Sequence, residues 1–316
     1  MLITDAILKP TFANHESFHL RYGWLKKAYD KVIEDPRIFT REHATVQLGV
    51  GKNMVRSIKF WSIANKIIAA HGNVGNVTWA PTYMGDTIFG KQGLDPYLEK
   101  PDTLWLLHWL LFAPPSRIPI WWILMNEFAA TNIKLEDVTE SINTRLTNIA
   151  EWNTPSPKSI KKDIDVFIHT YTTRQDKISI EDYLDCPFRQ MHMIKQNSRD
   201  VMRFVFGKKH GLSPLMTAFA CLDFVERAGI HSNSISISRL ATEAGSVGNI
   251  FKINENDLVE LLDKACRTSK MIKLSNVNGS PHLTFDSAQE ASRDALGLVY
   301  GKKIKPNKES RMELMN

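Results

Sequence analysis

A Gly-Val-Gly break at residues 49–51, set between two helical stretches, constrains this chain more than any other feature. The pattern predicts a first helix over residues 41–48, a tight turn at Gly49-Val50-Gly51 and a second helix over 52–68. At about 100° per residue, Met54, Ile58, Trp61, Asn65 and Ile68 share one side of that second helix. Lys52, Arg56, Lys59 and Lys66 gather on the other. An apolar stripe opposite a cationic one packs on a core and offers charge to solvent. A short helix, a glycine-containing turn and a longer basic helix make the helix-turn-helix pattern, whose second helix enters the major groove of DNA. The plainer reading is a solvated basic face on an ordinary helix pair.

Length and charge narrow the classes. With 316 residues, the chain admits two or three compact units. A net charge of +6 suits a phosphate-bearing partner. Cys186, Cys221 and Cys266 are far apart, are odd in number and have no metal-type spacing. They fit a reducing, cytoplasmic setting. Residues 1–10 lack a basic segment followed by an apolar one, so no secretory signal is expected. The most apolar stretch, 104–125, is cut by Ala113-Pro114-Pro115-Ser116-Arg117 into halves too short for a bilayer. Buried core helices are expected there, and no membrane partner.

Read in order, residues 1–14 suggest a strand or extended arm, and 18–33 a helix carrying Arg21, Lys26, Lys27 and Lys31. Residues 73–89 suit a β-hairpin wing or an extended link. Helices are expected over 96–112, 118–130 and 135–151. Trp105, Trp109, Trp121 and Trp122 are expected to fill a core rather than stack on bases. Ser156-Pro157-Lys158 is a cap with proline at the first helical position. The helix it opens, 158–171, places Ile160, Ile164, Phe167 and Tyr171 opposite Lys158, Lys161 and Lys162. Lys52, Met54, Arg56, Ile58 and Trp61 align without gaps to Lys158, Ile160, Lys162, Ile164 and Phe167, a short internal match that suggests a second helix-turn-helix. A polar connector at 174–184 precedes helices over 188–206, 215–228, 238–244 and 255–267. A hairpin closes the series, with strands at 271–274 and 282–285. Its third helix is acidic (Glu255, Asp257, Glu260, Asp263), which suits packing or homodimerisation better than groove reading. The expected fold is mainly α, with multiple helix-turn-helix or winged-helix units and small β-hairpin wings. The expected division is 1–92, 93–180 with the second helix-turn-helix, 181–300 as a winged-helix unit, and 301–316 as a mobile basic tail.

Catalytic motifs are sparse. Gly49-Val50-Gly51-Lys52-Asn53 lacks the first glycine and the Ser or Thr of a phosphate-binding loop, so nucleotide binding is rejected there. His15-Glu16-Ser17-Phe18-His19 has zinc-protease spacing. It straddles a helix start, however, and has no third ligand downstream. A capping or core-entry role competes with a metal-binding or proton-transfer role for His15 and Glu16. Asp163, Asp165 and His169 are expected on a solvated face.

Two blocks, residues 12–27 (Phe12-Ala13-Asn14-His15-Glu16-Ser17-Phe18-His19-Leu20-Arg21 and onward) and 48–55, resemble a bacterial family long known only as a domain of unknown function. Asp185-Cys186-Pro187-Phe188 is a weaker landmark of the same family. Its members are encoded beside sulfurtransferases similar to phosphoadenosine-phosphosulfate reductase. They include the SspB component of Ssp-type DNA phosphorothioation systems, which act in phage defence. The resemblance implies a DNA nickase working with a cysteine desulfurase and such a sulfurtransferase, with a divalent metal for nicking. It supplies no catalytic motif. The family's usual proline between Phe18 and Leu20 is His19 here, a further argument against zinc-protease chemistry. The expected DNA-binding residues are Arg21, Lys26, Lys27, Lys52, Asn53, Arg56, Lys59, Lys158, Lys161 and Lys162. The alternative function is a non-catalytic winged-helix adaptor or transcriptional regulator.

Overall fold

The computed structural model describes residues 1–73, 75–128, 133–172, 185–198 and 200–306. The N-terminal arm contains a single helical turn, α1 (Ile3–Ala6), with Ile3 and Ala6 buried. Helix α2 (Trp24–Glu34) starts six residues later than expected, because Gly23 adopts a left-handed conformation at φ 76°. Helices α3 (Ala44–Leu48) and α4 (Lys52–Ala64) flank the expected turn. Gly49 closes α3 at φ 63°, a conformation that costs glycine nothing, and Gly51 caps α4.

Helix α4 ends four residues before the expected 68. Lys66 turns left-handed at φ 57°, and the Ile67 N–H returns to the Ser62 carbonyl at 2.8 Å. Lys66 therefore leaves the cationic stripe: it is buried, and its Nζ donates to the Leu110 carbonyl. The chain continues as an antiparallel hairpin, β1 (Ile68–His71) with β2 (Thr78–Pro81), and then α5 (Tyr83–Phe89), capped by Thr82. The expected hairpin is present but shifted, and a helix occupies its second half.

Helices α6 (Pro101–Phe112) and α7 (Pro119–Glu127) are buried almost all round, as an all-apolar helix must be. Trp105, Trp109, Trp121 and Trp122 lie in the core. Among the described residues no helix is long and apolar enough to cross a membrane. Next come β3 (Ile133–Lys134), α8 (Leu135–Thr147) and α9 (Pro157–Tyr171). The Ser156 hydroxyl accepts the Ser159 N–H at the start of α9, and Ile160, Ile164, Phe167 and Tyr171 are buried as expected. The connector expected at 174–184 lies outside the described residues.

The helix expected over 188–206 does not form. A 3-10 turn (Pro187–Met191) ends at His192, which is left-handed at φ 49°. A hairpin follows, β4 (Ile194–Ser198) and β5 (Val201–Phe204), and β3 pairs with its second strand. Met202 and Phe204 are buried while Arg203 is exposed, the period-two alternation of a half-buried strand.

The C-terminal part runs α10 (Pro214–Arg227), β6 (Ser234–Ser236), α11 (Ile237–Thr242), α12 (Val247–Phe251) and α13 (Glu255–Thr268). It ends with β7 (Ile272–Val277), β8 (Ser280–Phe285) and α14 (Ala288–Tyr300). The strands form one antiparallel sheet in the order β6-β8-β7. Asn278 and Gly279, at φ 52° and 85°, make a two-residue turn between β7 and β8. Helix α14 is the longest element that sequence reading missed. Its buried stripe is mostly small (Ala291, Ser292, Ala295), which lets it lie along α10. Of the expected tail, residues 301–306 are described and are held against α5: the Tyr83 hydroxyl donates to the Lys305 carbonyl at 2.7 Å. The fold is thus mainly α with small antiparallel sheets, and its buried side chains form one connected core from Ile3 to Tyr300.

Candidate nucleic-acid interface

The loop before α2 is the structural junction of the two basic helices. Ala13, Glu16 and Ser17 take left-handed φ values of 55°, 51° and 67°. Such conformations cost about 1–3 kcal/mol each in non-glycine residues and persist only when their surroundings enforce them. Asp163 on α9 provides that enforcement. Its two carboxylate oxygens accept the Ala13 N–H at 3.2 and 3.0 Å, and Oδ1 accepts His15 Nε2 at 2.6 Å. The Ser17 N–H donates to His15 Nδ1 at 3.2 Å. Nδ1 is therefore an acceptor, so the proton sits on Nε2 and points at Asp163. His15 is 1% exposed, stacks on Trp61 of α4 at 6.2 Å and meets Phe60 edge-on. Asp163 is thus buried and paired, not part of a solvated face.

Two indoles complete the clamp. Trp61 Nε1 donates to the Phe18 carbonyl at 3.0 Å, and Trp121 Nε1 donates to the Asp163 carbonyl at 2.9 Å. Trp61 and Phe167, the aligned positions of the internal match, each pack on Trp121 with ring centroids 5.2 Å apart. α4 and α9 therefore share one aromatic support and one loop.

Past Phe18 the loop turns to a different carboxylate. His19 Nε2 lies 3.2 Å and Arg21 Nε 3.1 Å from Asp185 Oδ2, and the Tyr22 N–H donates to the Asp185 carbonyl. Burial, then the nearby Arg189 charge, lowers the His19 pKa to about 4. The zinc-type motif is hence not a helical pair of ligands: His15 serves Asp163 and His19 serves Asp185. Glu16 Oε1 accepts from Arg56 Nη1 at 3.3 Å, linking loop to α4 at the surface. Among the described residues no three His, Cys, Asp or Glu side chains gather as a metal cage.

Lys52, Asn53 and Arg56 on α4 and Lys158 and Lys161 on α9 are exposed, while Lys59 and Lys162 are half-buried. Lys59 Nζ lies 5.7 Å from the Trp79 ring centroid, and burial followed by the Arg56 charge lowers its pKa. The cations of α2 are more closely engaged. Lys26 Nζ contacts the Asp30 carboxylate at 2.5 Å, and Lys27 Nζ donates to the Leu48 carbonyl at 2.9 Å, at the end of α3. The Arg21 guanidinium lies 5.8 and 5.5 Å from the Phe18 and Trp24 rings. Sequence reasoning could not supply Asp163 or Asp185, because each acts on residues more than a hundred positions away.

The cysteine thiols are held toward their protonated form. Burial pushes the Cys186 thiol up to about 12 and raises those of Cys221 and Cys266. Nucleophilic sulfur transfer requires the thiolate.

Residues 12–300 match the model of a family described as protein of unknown function (DUF4007). The chain belongs to this family. It is also similar to a magnesium ion-bound crystal structure of SspB, with 34% identity and a TM-score of 0.89. That match covers 99% of this chain and 94% of the other. A second SspB crystal structure matches with 32% identity, a TM-score of 0.87 and the same coverage. A comparison with curated proteins gives no match. The chain is therefore SspB-like over nearly its whole length.

Proposed function

We propose that this chain is the DNA-binding component of an Ssp-type phosphorothioate-modification system, acting in the cytoplasm on the phosphate backbone. The observation that carries this reading is the junction at residues 12–23. It fastens two helices of matching pattern to one support while their Lys52, Arg56, Lys158 and Lys161 side chains stay exposed. Phosphate contacts position a protein on DNA, and cations fixed on rigid helices make them with little ordering cost. In this reading α3 and α4 form a helix-turn-helix. The order α10, β6, α11, α13, β7, β8 supports a winged-helix reading of the C-terminal part, whose acidic α13 suits a protein neighbour.

The SspB likeness supports nicking, the hydrolysis of one backbone phosphodiester that opens DNA for sulfur insertion. A cysteine desulfurase and a sulfurtransferase similar to phosphoadenosine-phosphosulfate reductase would supply the sulfur, in keeping with the burial of Cys186 and Cys221 in this chain. One SspB relative is a magnesium-bound structure. Magnesium keeps several waters and needs only one or two protein carboxylates, so a cage of three side chains is not required. The engagement of His15 by Asp163 and of Glu16 by Arg56 favours one rival, a non-catalytic adaptor or regulator with the same DNA face. Conversion of supercoiled plasmid to open circle by the pure protein, with and without magnesium, separates the two. Open circle appearing only with magnesium supports the nickase; tight binding with no nicking supports the adaptor.

A further inference from the structure

A second cationic site lies away from the loop and helices just described. A cavity of about 1120 Å3 opens between α5 and residues 302–306, lined by Tyr29, Tyr83, Asp86 and the lysines Lys91, Lys302, Lys303 and Lys305. Ligand pockets typically measure about 300–1,000 Å3, so this one accommodates a nucleotide-sized molecule.

Both walls are fixed. The turn carrying Lys91 is compressed by its glycines: a Cβ on Gly90 would meet the Asp86 carbonyl oxygen at 2.5 Å, and one on Gly93 the Ile88 carbonyl oxygen at 2.3 Å. Across the cavity, the Tyr83 hydroxyl holds the Lys305 carbonyl at 2.7 Å, and Lys302 Nζ donates to the Gly93 carbonyl at 2.6 Å. Carbonyl partners place the Lys302 ammonium without neutralising it. Lys91, Lys303 and Lys305 pair with no carboxylate among the described residues. Among the described residues the lining holds a single carboxylate, Asp86, whose Oδ1 accepts the Tyr29 hydroxyl at 2.7 Å.

We propose that this cavity binds a nucleoside polyphosphate, with the phosphates among the four lysines and the sugar or base donors at Asp86. Four ammoniums facing one carboxylate match a ligand that is anionic at one end and donor-rich at the other. The DNA backbone shares the phosphate chemistry, but it is anionic along its whole length and offers nothing to Asp86. The site is unrelated to Gly49–Asn53, and the proposal stands apart from the DNA face on α4 and α9.

The test uses the full chain and a fluorescent ATP analogue, read by anisotropy, with ATP, inorganic triphosphate, adenosine and a short DNA duplex as competitors. Saturable binding is expected. ATP should displace the probe best, triphosphate less well, and adenosine weakest. The double variant Lys91→Glu with Lys303→Glu should bind about tenfold more weakly or worse, at an unchanged melting temperature. Both side chains are exposed and hold no hydrogen bond that the fold uses. Three results each overturn the proposal: no saturable binding at millimolar probe, undiminished binding by the folded variant, or displacement by duplex as effective per phosphate as by ATP. The last result assigns the cavity to the DNA backbone.

Discussion

Replacing Asp163 with asparagine tests the junction between loop, α4 and α9 with almost no change of volume. The carboxylate accepts from Ala13 N–H and from His15 Nε2–H. Hydrogen bonds to a charged acceptor contribute about 1.5–3 kcal/mol each. An asparagine oxygen in the Oδ1 place can accept from both, but its amide nitrogen then takes the Oδ2 place and faces the Ala13 N–H, donor against donor, at 3.0 Å. With the amide in the Oδ1 place instead, His15 could shift its proton to Nδ1 and accept from it, yet Nδ1–H would then oppose the Ser17 N–H. One buried mismatch survives in every arrangement, so the substitution should cost about 2–4 kcal/mol. At about 2–4 °C per kcal/mol for chains approaching this size, the melting temperature should fall by roughly 4–16 °C. Circular dichroism melting of Asp163→Asn beside Asp165→Asn, its exposed neighbour, reads this directly. An Asp163→Asn protein that melts with the parent would refute the anchoring argument.

Trp61→Ala empties a fully buried site between Phe60 and Trp121 and removes the bond to Phe18 O, so chemical denaturation should show a loss of about 3–5 kcal/mol. His108, buried between Tyr171 and the Ile250 carbonyl, has its pKa lowered by burial to about 4. With the folded value below the unfolded 6.5, stability should be constant above pH 6.5 and fall as pH drops toward 4. His19 contributes in the same window, and a flat profile from pH 7 to 4 contradicts both assignments. Lys252 donates to the Met125 carbonyl at 2.5 Å and has its pKa lowered by burial to about 7. It should make stability rise between pH 7 and 10, a rise that Lys252→Met reduces, because Lys66 and Lys209, also lowered by burial, contribute in the same window. Arg56→Ala should weaken DNA binding by about 1–3 kcal/mol and relax any sequence preference, because its forked donors can bridge two acceptors on guanine; unchanged preference in gel shifts would remove it from base reading.

The helices whose apolar side recurs every three or four residues were legible in the sequence, and α4 and α9 are the clearest cases. Their buried sides hold Ile58 with Trp61, and Ile164 with Phe167, as the spacing required. Boundaries failed where the backbone turned left-handed, at Gly23 and at two residues other than glycine. Lys66 and His192 gave no local sign of doing so, and each moved or removed a predicted helix. Residues 188–206 misled for a second reason: Met, Ile, Val and Phe there satisfy a helical stripe loosely, and only Met202 and Phe204, flanking the exposed Arg203, show the alternation of a strand. Helix α14 escaped notice because its buried side is alanine and serine, which carry little hydrophobic signal. The basic faces were visible as charge patterns, but the partners that position them were not. Asp163 looked solvent-facing beside Asp165, and only the fold brings Ala13 and His15 to it.

The central claim, that the cations of α4 and α9 form one DNA-binding face, is tested most directly by the salt dependence of duplex affinity. The parent and a variant with Lys52, Arg56, Lys158 and Lys161 all changed to alanine are compared, each checked for folding. The three lysines, each on a phosphate, give a log–log slope of about −3 from these residues alone, with Arg56 assigned to base edges. The account predicts that the folded variant loses about that much of the parent's slope, along with most of its affinity. A folded variant that binds with the parent's affinity and slope would place the DNA elsewhere on the molecule.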